Sequence, residues 1–421
     1  MTDALGLRVD GASVWAFRVL FGALLAVMPV RFAAYGWIEE LYLAPTYHFA
    51  WVSWAVVPPA GVLYAMHVGL AACGVAIAAG VAVRPALWAY LVGFGYLELL
   101  DKTLYLNHYV LVTLLLVTLA VVPLPGRSDR VPRWVVGLLR LELGLVWTWA
   151  GICKLNADWM LRGEPLHTWL RARMELPWIG PWLGLPETAL AMSWGGAAFD
   201  LGIAPLLLVE RTRPLGFVLL VGFHAITGLL FPIGVFPWVM LLGALLFLPE
   251  SWPRRVLPSL GPALEPEPGS MPVGTAVLVG AFAVLLAIWP ARSALIPGDV
   301  MWTEQGFRFS WRVLLIEKTG QVDYRVVDRA TGRSWTTSPR QELTELQHKQ
   351  MRTQPDMILD YAHHLAEREA AAGRDVAVYA ESYASLNGRP SQRLVSPDVD
   401  LTTLTGWETG WIVPLRDPPG R

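Results

Sequence analysis

The chain has 421 residues, of which 54% are hydrophobic and only 16% charged, with a formal net charge of −1. Soluble domains carry about 25% charged residues, so an ordinary soluble protein is excluded, and the near-zero net charge removes any reason to expect nucleic-acid binding. Cys73 and Cys153 both lie in apolar runs, so no disulfide framework is implied, and no CxxC redox motif occurs.

Apolar runs long enough to cross a bilayer, or nearly so, dominate from about residue 12 to 291. They predict spans at about 12–30, 60–82, 86–101, 107–123, 134–153, 189–209, 214–231, 234–249 and 272–291. The expected fold is therefore a membrane α-helical bundle of about eight to nine transmembrane helices over residues 1–298. A small α+β extramembrane domain over 299–421 follows it. Segment 31–58 and the loop 155–187, both rich in Trp and Pro, read as pieces lying in the interface, where aromatic rings favour headgroup depth. Arg8, Arg84, Arg127, Arg130, Arg133, Arg211, Arg213, Arg254 and Arg255 fall in alternate loops. The positive-inside rule then puts the N-terminus in the cytoplasm and the C-terminal domain on the periplasmic or lumenal face. A bacterial inner membrane is the expected location.

In the tail, period-two alternation over Phe309–Glu317 and Gln321–Asp328 predicts a β-hairpin turning at Lys318-Thr319-Gly320, with a further turn at Thr331-Gly332. Pro355–Ala371 has helical periodicity, and Val376–Ser382 and the stretch toward Leu394 read as further strands.

Polar residues at membrane depth are the candidates for chemistry, because an ionisable group there costs a few kcal/mol unless paired or used. Lys154 directly follows the apolar run Trp134–Cys153, among Trp147, Trp149 and Trp159. Desolvation disfavours a charged amine, and an uncharged amine is a general base against an acidic phenol or enol. Two other readings compete. Lys154 snorkels to the headgroups, or Asp158 pairs with it. Upstream, Asp101-Lys102 reads as an ion pair, Asn107 as a helix N-cap or a ligand contact, and His108 as a hydrogen-bonding partner for a ligand oxygen. Asp200 and His224 are intramembrane polar groups that either satisfy buried hydrogen bonds or touch a ligand. No HExxH, paired CxxC, Gly-rich phosphate loop or GxSxG occurs, so no protein-bound metal is expected and common hydrolase and nucleotide chemistry is excluded.

Four segments resemble the vitamin K-dependent gamma-glutamyl carboxylase family: DKTLYLNHY (101–109), GICKLNADW (151–159), the run 223–255, and SLNGRPSQRLVSPDVD (385–400). The last lies outside the membrane and owes nothing to hydropathy. The resemblance implies that Lys154 deprotonates reduced vitamin K, which with O2 becomes a base strong enough to remove a glutamate γ-proton before CO2 capture. It implies His108 as a partner in catalysis and Asn107 beside the quinone, with Tyr105, Phe236 and His224 as candidates for the quinone wall. The expected cofactor is phylloquinol or menaquinol, and the expected partner a glutamate-containing protein or peptide. The sequence departs from the familiar pattern in three ways. Cys153 stands where animal members often have a second lysine, Tyr105-Leu106 where Trp and Asn are familiar, and the longer lumenal extension is not seen. A quinone- or lipid-binding membrane protein without carboxylation is the alternative expectation.

Overall fold

The computed structural model describes residues 2–406 and 408–417. Long helices run through Ala12–Ala34 (α1), Ala60–Ala79 (α2), Val83–Leu99 (α3), Asn107–Val121 (α4) and Arg133–Lys154 (α5). They continue through Pro186–Leu208 (α6), Arg213–Leu230 (α7), Phe236–Ala244 (α8) and Val273–Ile288 (α9). Among the described residues, six apolar stretches are long enough to cross a membrane: α1, α2, α5, α6, α7, and α9 with its 3₁₀ extension to Leu295. Asn107–Val121 and Phe236–Phe247 are shorter apolar helices.

The bundle is held by close backbone approach as well as by apolar packing. A Cβ at Gly22 of α1 would lie 2.5 Å from the backbone nitrogen of Ala78, and one at Gly74 of α2 would lie 2.4 Å from that of Ala26. Small residues at such a crossing let two helices touch where no hydrophobic driving force separates helix from lipid. Pro29 inside α1 cannot donate to the carbonyl of Leu25. The Tyr90 hydroxyl of α3 donates to that carbonyl instead, at 2.9 Å, so the break in the helix is repaired by its neighbour. Arg84 does similar work at the end of α4, donating to the carbonyls of Ala120 and Val122 at 2.6 and 2.8 Å.

The two ends of the bundle differ. At one end, a short antiparallel ribbon pairs Arg8–Asp10 (β1) with Arg130–Pro132 (β2). There the buried Arg254 forms a two-point ion pair with Asp10 at 2.7 and 3.1 Å. At the other end sits the C-terminal domain. Its sheet has the order β4-β3-β5-β6, all antiparallel, from Lys318–Asp328 (β3), Ser334–Thr337 (β4), Val376–Leu386 (β5) and Gln392–Arg393 (β6). Helix α10, Pro355–Ala371, packs Ile358, Tyr361, Ala362 and Leu365 onto Tyr324, Val326, Val378 and Ala380 of the sheet.

The hairpin expected at 309–328 is not formed. β3 begins at Lys318, pairs with β5 along its length and turns into β4 around Thr331-Gly332. Residues 304–317 instead thread irregularly between domain and bundle, with Phe309, Trp311 and Leu314 at positive φ. The alternation there records successive burials in different places. Trp311 joins the bundle core and Leu315 a third cluster with Trp159 and Leu166. Segment 31–58 is also not simply interfacial, since Tyr47 and Phe49 pack into the core of the C-terminal domain.

Candidate functional site

Lys154 is the last residue of α5, and its position follows from a glycine one turn earlier. A Cβ at Gly151 would lie 2.7 Å from the Leu201 side chain and 3.0 Å from its backbone nitrogen, so α5 and α6 meet there. That contact brings the Lys154 amine to Asp200, with Nζ–Oδ2 at 2.7 Å and both side chains 6% exposed. The amine also donates to the Ala150 carbonyl at 3.4 Å and lies 5.1 Å from the centre of the Trp159 ring. The indole of Trp159 is itself anchored by donation to the Ser193 carbonyl at 2.6 Å. Lys154 is therefore neither snorkelling nor unpaired. The expectation of a solitary uncharged amine is corrected to an amine–carboxyl pair.

Asp158, the partner weighed from sequence, is engaged elsewhere. Arg389 grips its two oxygens at 2.7 Å each, and Asn387 donates to it at 3.0 Å. Asp101 and Lys102 do not pair with one another either. Lys102 binds Asp360 of α10 at 2.6 Å, while Asp101 caps the turn at Thr103 and accepts from Gln347.

Beside the Lys154–Asp200 pair lies a cavity of about 80 Å³ with mostly apolar walls, including Val146, Trp159, Phe223, Phe231, Phe236 and Leu314. An apolar lining with a few convergent polar groups is the pattern of sites for small organic ligands. Its polar wall consists of Lys154, Asp200, His224 and Thr227. Thr227 is satisfied by the Phe223 carbonyl at 2.8 Å. His224 is not: both ring nitrogens are buried without a hydrogen-bond partner. A buried polar group left unpaired is costly, and a ligand oxygen in the cavity would satisfy it.

The other residues singled out from sequence are distributed around this cavity. Phe236 lines it and joins two histidines, with ring centres 6.1 Å from His108 and 6.0 Å from His224. His108 is buried behind Phe236 and does not line the cavity. Tyr105 and Asn107 line a separate, open cleft of about 490 Å³ between bundle and domain, with many charged residues in its lining. There the Tyr105 hydroxyl donates to Asn107 Oδ1 at 2.9 Å, and Asn107 Nδ2 donates to the Arg312 carbonyl at 3.3 Å. Asn107 is not an N-cap, because Leu106 holds that position and no side chain caps the helix. Leu314 lines both cavity and cleft, so it forms part of the wall between them. No group of three or more potential metal ligands occurs among the described residues.

The sequence reading missed one partnership and one residue. Asp200 was visible as an acid inside an apolar run, but nothing in the sequence tied it to Lys154, 46 residues away. Arg312 lay in a stretch read as a strand, whereas its guanidinium donates to Cys153 Sγ at 2.8 Å and to Ser293 Oγ at 2.9 Å.

Residues 7–252 match the HTTM domain family, and residues 273–418 match the vitamin K-dependent gamma-carboxylase, lumenal domain. The chain belongs to the vitamin K-dependent gamma-carboxylase family. The first match covers more than half of the chain and contains Lys154, Asp200, His108 and His224. The second contains Arg312, the sheet and α10. The two matches lie end to end along the chain, the second over the part that carries the sheet. No solved structure matches the chain.

Proposed function

We propose that this protein is an integral membrane gamma-carboxylase-type enzyme. It would oxidise a reduced naphthoquinone with O2 to the epoxide and couple this to CO2 addition at a peptide glutamate. The observation that carries the reading is the apolar cavity whose wall presents an amine–carboxyl pair and an unpartnered imidazole. Its donor set suits a flat, greasy ring with hydroxyls. Reduced vitamin K, as phylloquinol or menaquinol, would supply the acidic hydroxyl and, with O2, the strong base needed at glutamate. Lys154 and Asp200 would receive the hydroxyl proton and His224 would fix an oxygen.

Lys154 and Asp200 act as one unit. With one proton between them the pair is neutral overall, whichever partner holds it. When Asp200 holds it, the amine lone pair is available to take a proton from the cavity. The ammonium so formed then faces the neutral Asp200 carboxyl, the Ala150 carbonyl and the Trp159 ring, whose oxygens and π face stabilise it. His108 and Phe236 close the wall behind, and the apolar lining keeps out water that would quench a strong base. Asn107 and Tyr105 line the cleft, where a glutamyl side chain would approach, and His108 stands behind Phe236.

The cleft has a small excess of positive charge, although Glu317, which also lines it and accepts from Trp169, has no cationic partner among the described residues. Of its five cations, Lys102, Arg308 and Lys318 are matched by Asp360, Asp356 and Glu304. Arg312 and Lys349 have no acidic partner among the described residues, and Nε of Arg312 is buried without a hydrogen bond. With the domain on the periplasmic face of a bacterial inner membrane, the substrate would be an envelope or secreted protein.

The test is to purify the protein in lipid, supply reduced vitamin K, O2 and bicarbonate, and measure epoxide with and without a glutamyl peptide. Carboxylation is read by mass spectrometry. Lys154→Ala is expected to lower epoxide formation by about 10²–10⁴-fold; equal epoxide from Lys154→Ala and wild type would refute the assignment. The three contacts on the Lys154 amine also favour a second reading, a quinone-binding protein that holds its ligand without turnover. Saturable quinone binding with no epoxide would establish that alternative.

A further inference from the structure

Two of the four resembling segments meet on a stretch of chain that neither contains. Asn107, from the first, donates through Nδ2 to the Arg312 carbonyl at 3.3 Å. Asn387, from the last, donates to the Leu315 carbonyl at 3.1 Å and accepts from the Glu317 amide at 2.9 Å. It also donates to Asp158 at 3.0 Å, just beyond the end of α5. The Arg312 side chain is fixed as well, by Cys153 and Ser293. Both ends of the stretch 312–315 are thus pinned by side chains. Between the pins, the amides and carbonyls of Val313 and Leu314 make no hydrogen bond to a described residue. Leu314 also holds a φ of 56°, a left-handed conformation that costs free energy for a residue with a Cβ. Such strain lasts only where the surroundings enforce it, and a stretch with few backbone hydrogen bonds is among the first to open.

The position of this stretch gives the strain a use. Val313 and Leu314 line the Lys154 cavity, while Arg312 and the run from Leu314 to Glu317 line the cleft. Among the described residues, Leu314 alone belongs to both linings. In the proposed reaction the strong base arises in the cavity and the glutamyl side chain arrives in the cleft, so the two must meet across Leu314. Until they do, an apolar side chain at that point keeps cleft water from the base.

We propose that Leu314 is a movable partition between the quinol cavity and the peptide cleft, with Asn107 and Asn387 as positioning residues that hold its two ends. It rests on the function proposed above. In the closed form the Leu314 side chain seals the dry side. Displaced, it lets a glutamyl side chain reach the base, while the pins at Arg312 and Leu315 keep the rest of the wall in place. The size of the side chain at this one position then decides whether the base made in the cavity is spent on glutamate or on water.

The test uses full-length protein in lipid nanodiscs, with a reporter thiol placed on the buried cavity wall by Ala150→Cys. Iodoacetamide in the aqueous phase is the probe, and peptide mapping separates the reporter from Cys73 and Cys153. Adding Leu314→Gly is expected to speed reporter labelling at least roughly tenfold, because glycine accepts the left-handed backbone and deletes only the stopper. Leu314→Met should label as slowly as the parent. Asn107→Ala should label faster than the parent, though less so than Leu314→Gly. Turnover supplies a second readout, on protein without the reporter. The ratio of carboxyglutamate to epoxide should fall about tenfold in Leu314→Gly, with epoxide still formed, and stay near the wild-type value in Leu314→Met. A purely structural lesion lowers both products together and leaves their ratio unchanged. Equal labelling with and without Leu314→Gly, or an unchanged product ratio, overturns the partition. Parent-like labelling in Asn107→Ala overturns its role as a pin. If wild type makes no epoxide, the enzymatic reading falls, while the labelling still decides whether Leu314 divides the two spaces.

Discussion

At the scale of single residues, the site depends on which polar atoms are paired and which are left over. Lys154 and Asp200 satisfy each other at 2.7 Å, so removing either leaves the other buried and uncompensated. Breaking such a pair costs roughly 3–5 kcal/mol of stability. Asp200→Asn keeps the shape and one acceptor but cannot exchange a proton, so it is expected to fold and to lose epoxide formation nearly as fully as Lys154→Ala. Folding is checked by gel filtration and turnover by the epoxide assay; full activity in Asp200→Asn would mean that the carboxyl only positions the amine. His224 makes the opposite case, with two nitrogens unpaired beside the cavity. Replacing it with Phe removes one ligand hydrogen bond of about 0.5–1.5 kcal/mol, so KM for the quinol should rise by roughly 2- to 12-fold. A KM that stays at the wild-type value would show that no ligand oxygen meets His224.

At the scale of elements, glycines decide where helices touch. Gly74→Val would drive a side chain into the α1 backbone at Ala26, an approach of 2.4 Å that a flexible neighbour cannot relieve. The α1–α2 pair should separate, and thermal unfolding in detergent should fall by several degrees, whereas Gly69→Val, with open space at its Cβ, should be neutral. Equal stability of the two variants would contradict the close crossing. Gly151 works by the same principle with a functional readout, because a larger residue there pushes α5 from α6 and pulls Lys154 away from Asp200. Hydropathy made the helices legible in the sequence, along with α10, whose period and leading proline place it at Pro355–Ala371. The false hairpin at 309–317 was misread because alternation of apolar residues is the same signal whether the two sides are a sheet's faces or two different cores.

At the scale of the whole molecule, the domain is tied to the bundle by ion pairs between distant segments. Asp158 and Arg389 are both largely buried and meet through two 2.7 Å contacts. Asp158→Asn and Arg389→Gln should each lower the unfolding temperature, and the double variant should lose much less than the sum of the two. Strict additivity would show that the pair does not couple domain to bundle. Lys102 of the bundle and Asp360 of the domain form a second tie at 2.6 Å, and beside it Arg308 pairs with Asp356 at 2.6 Å within the domain. Burial alone would raise the Asp356 carboxyl, but Arg308 outweighs it and holds the group below its ordinary value of 3.8. A lowered carboxylate stabilises the fold above that value, and the contribution disappears as pH falls through the native value. Asp356→Asn should therefore flatten the acid side of the stability profile, measured by thermal unfolding from neutral pH downward.

The sequence by itself determined that the chain is a membrane protein with an extramembrane tail, because a count of apolar and charged residues measures transfer to lipid directly. It also determined the family, since four motifs retain their order, and it drew attention to Lys154 and His224 as charges or dipoles in apolar runs. Only the tertiary structure decided their partners. Lys154 joins Asp200 and not the nearer Asp158, His108 stands behind Phe236, and Asn107 opens on the cleft and not on the cavity. Pairing between distant segments depends on how helices cross and which side chains the crossing traps. Those are properties of three-dimensional packing for which the spacing of residues along a chain carries no direct signal.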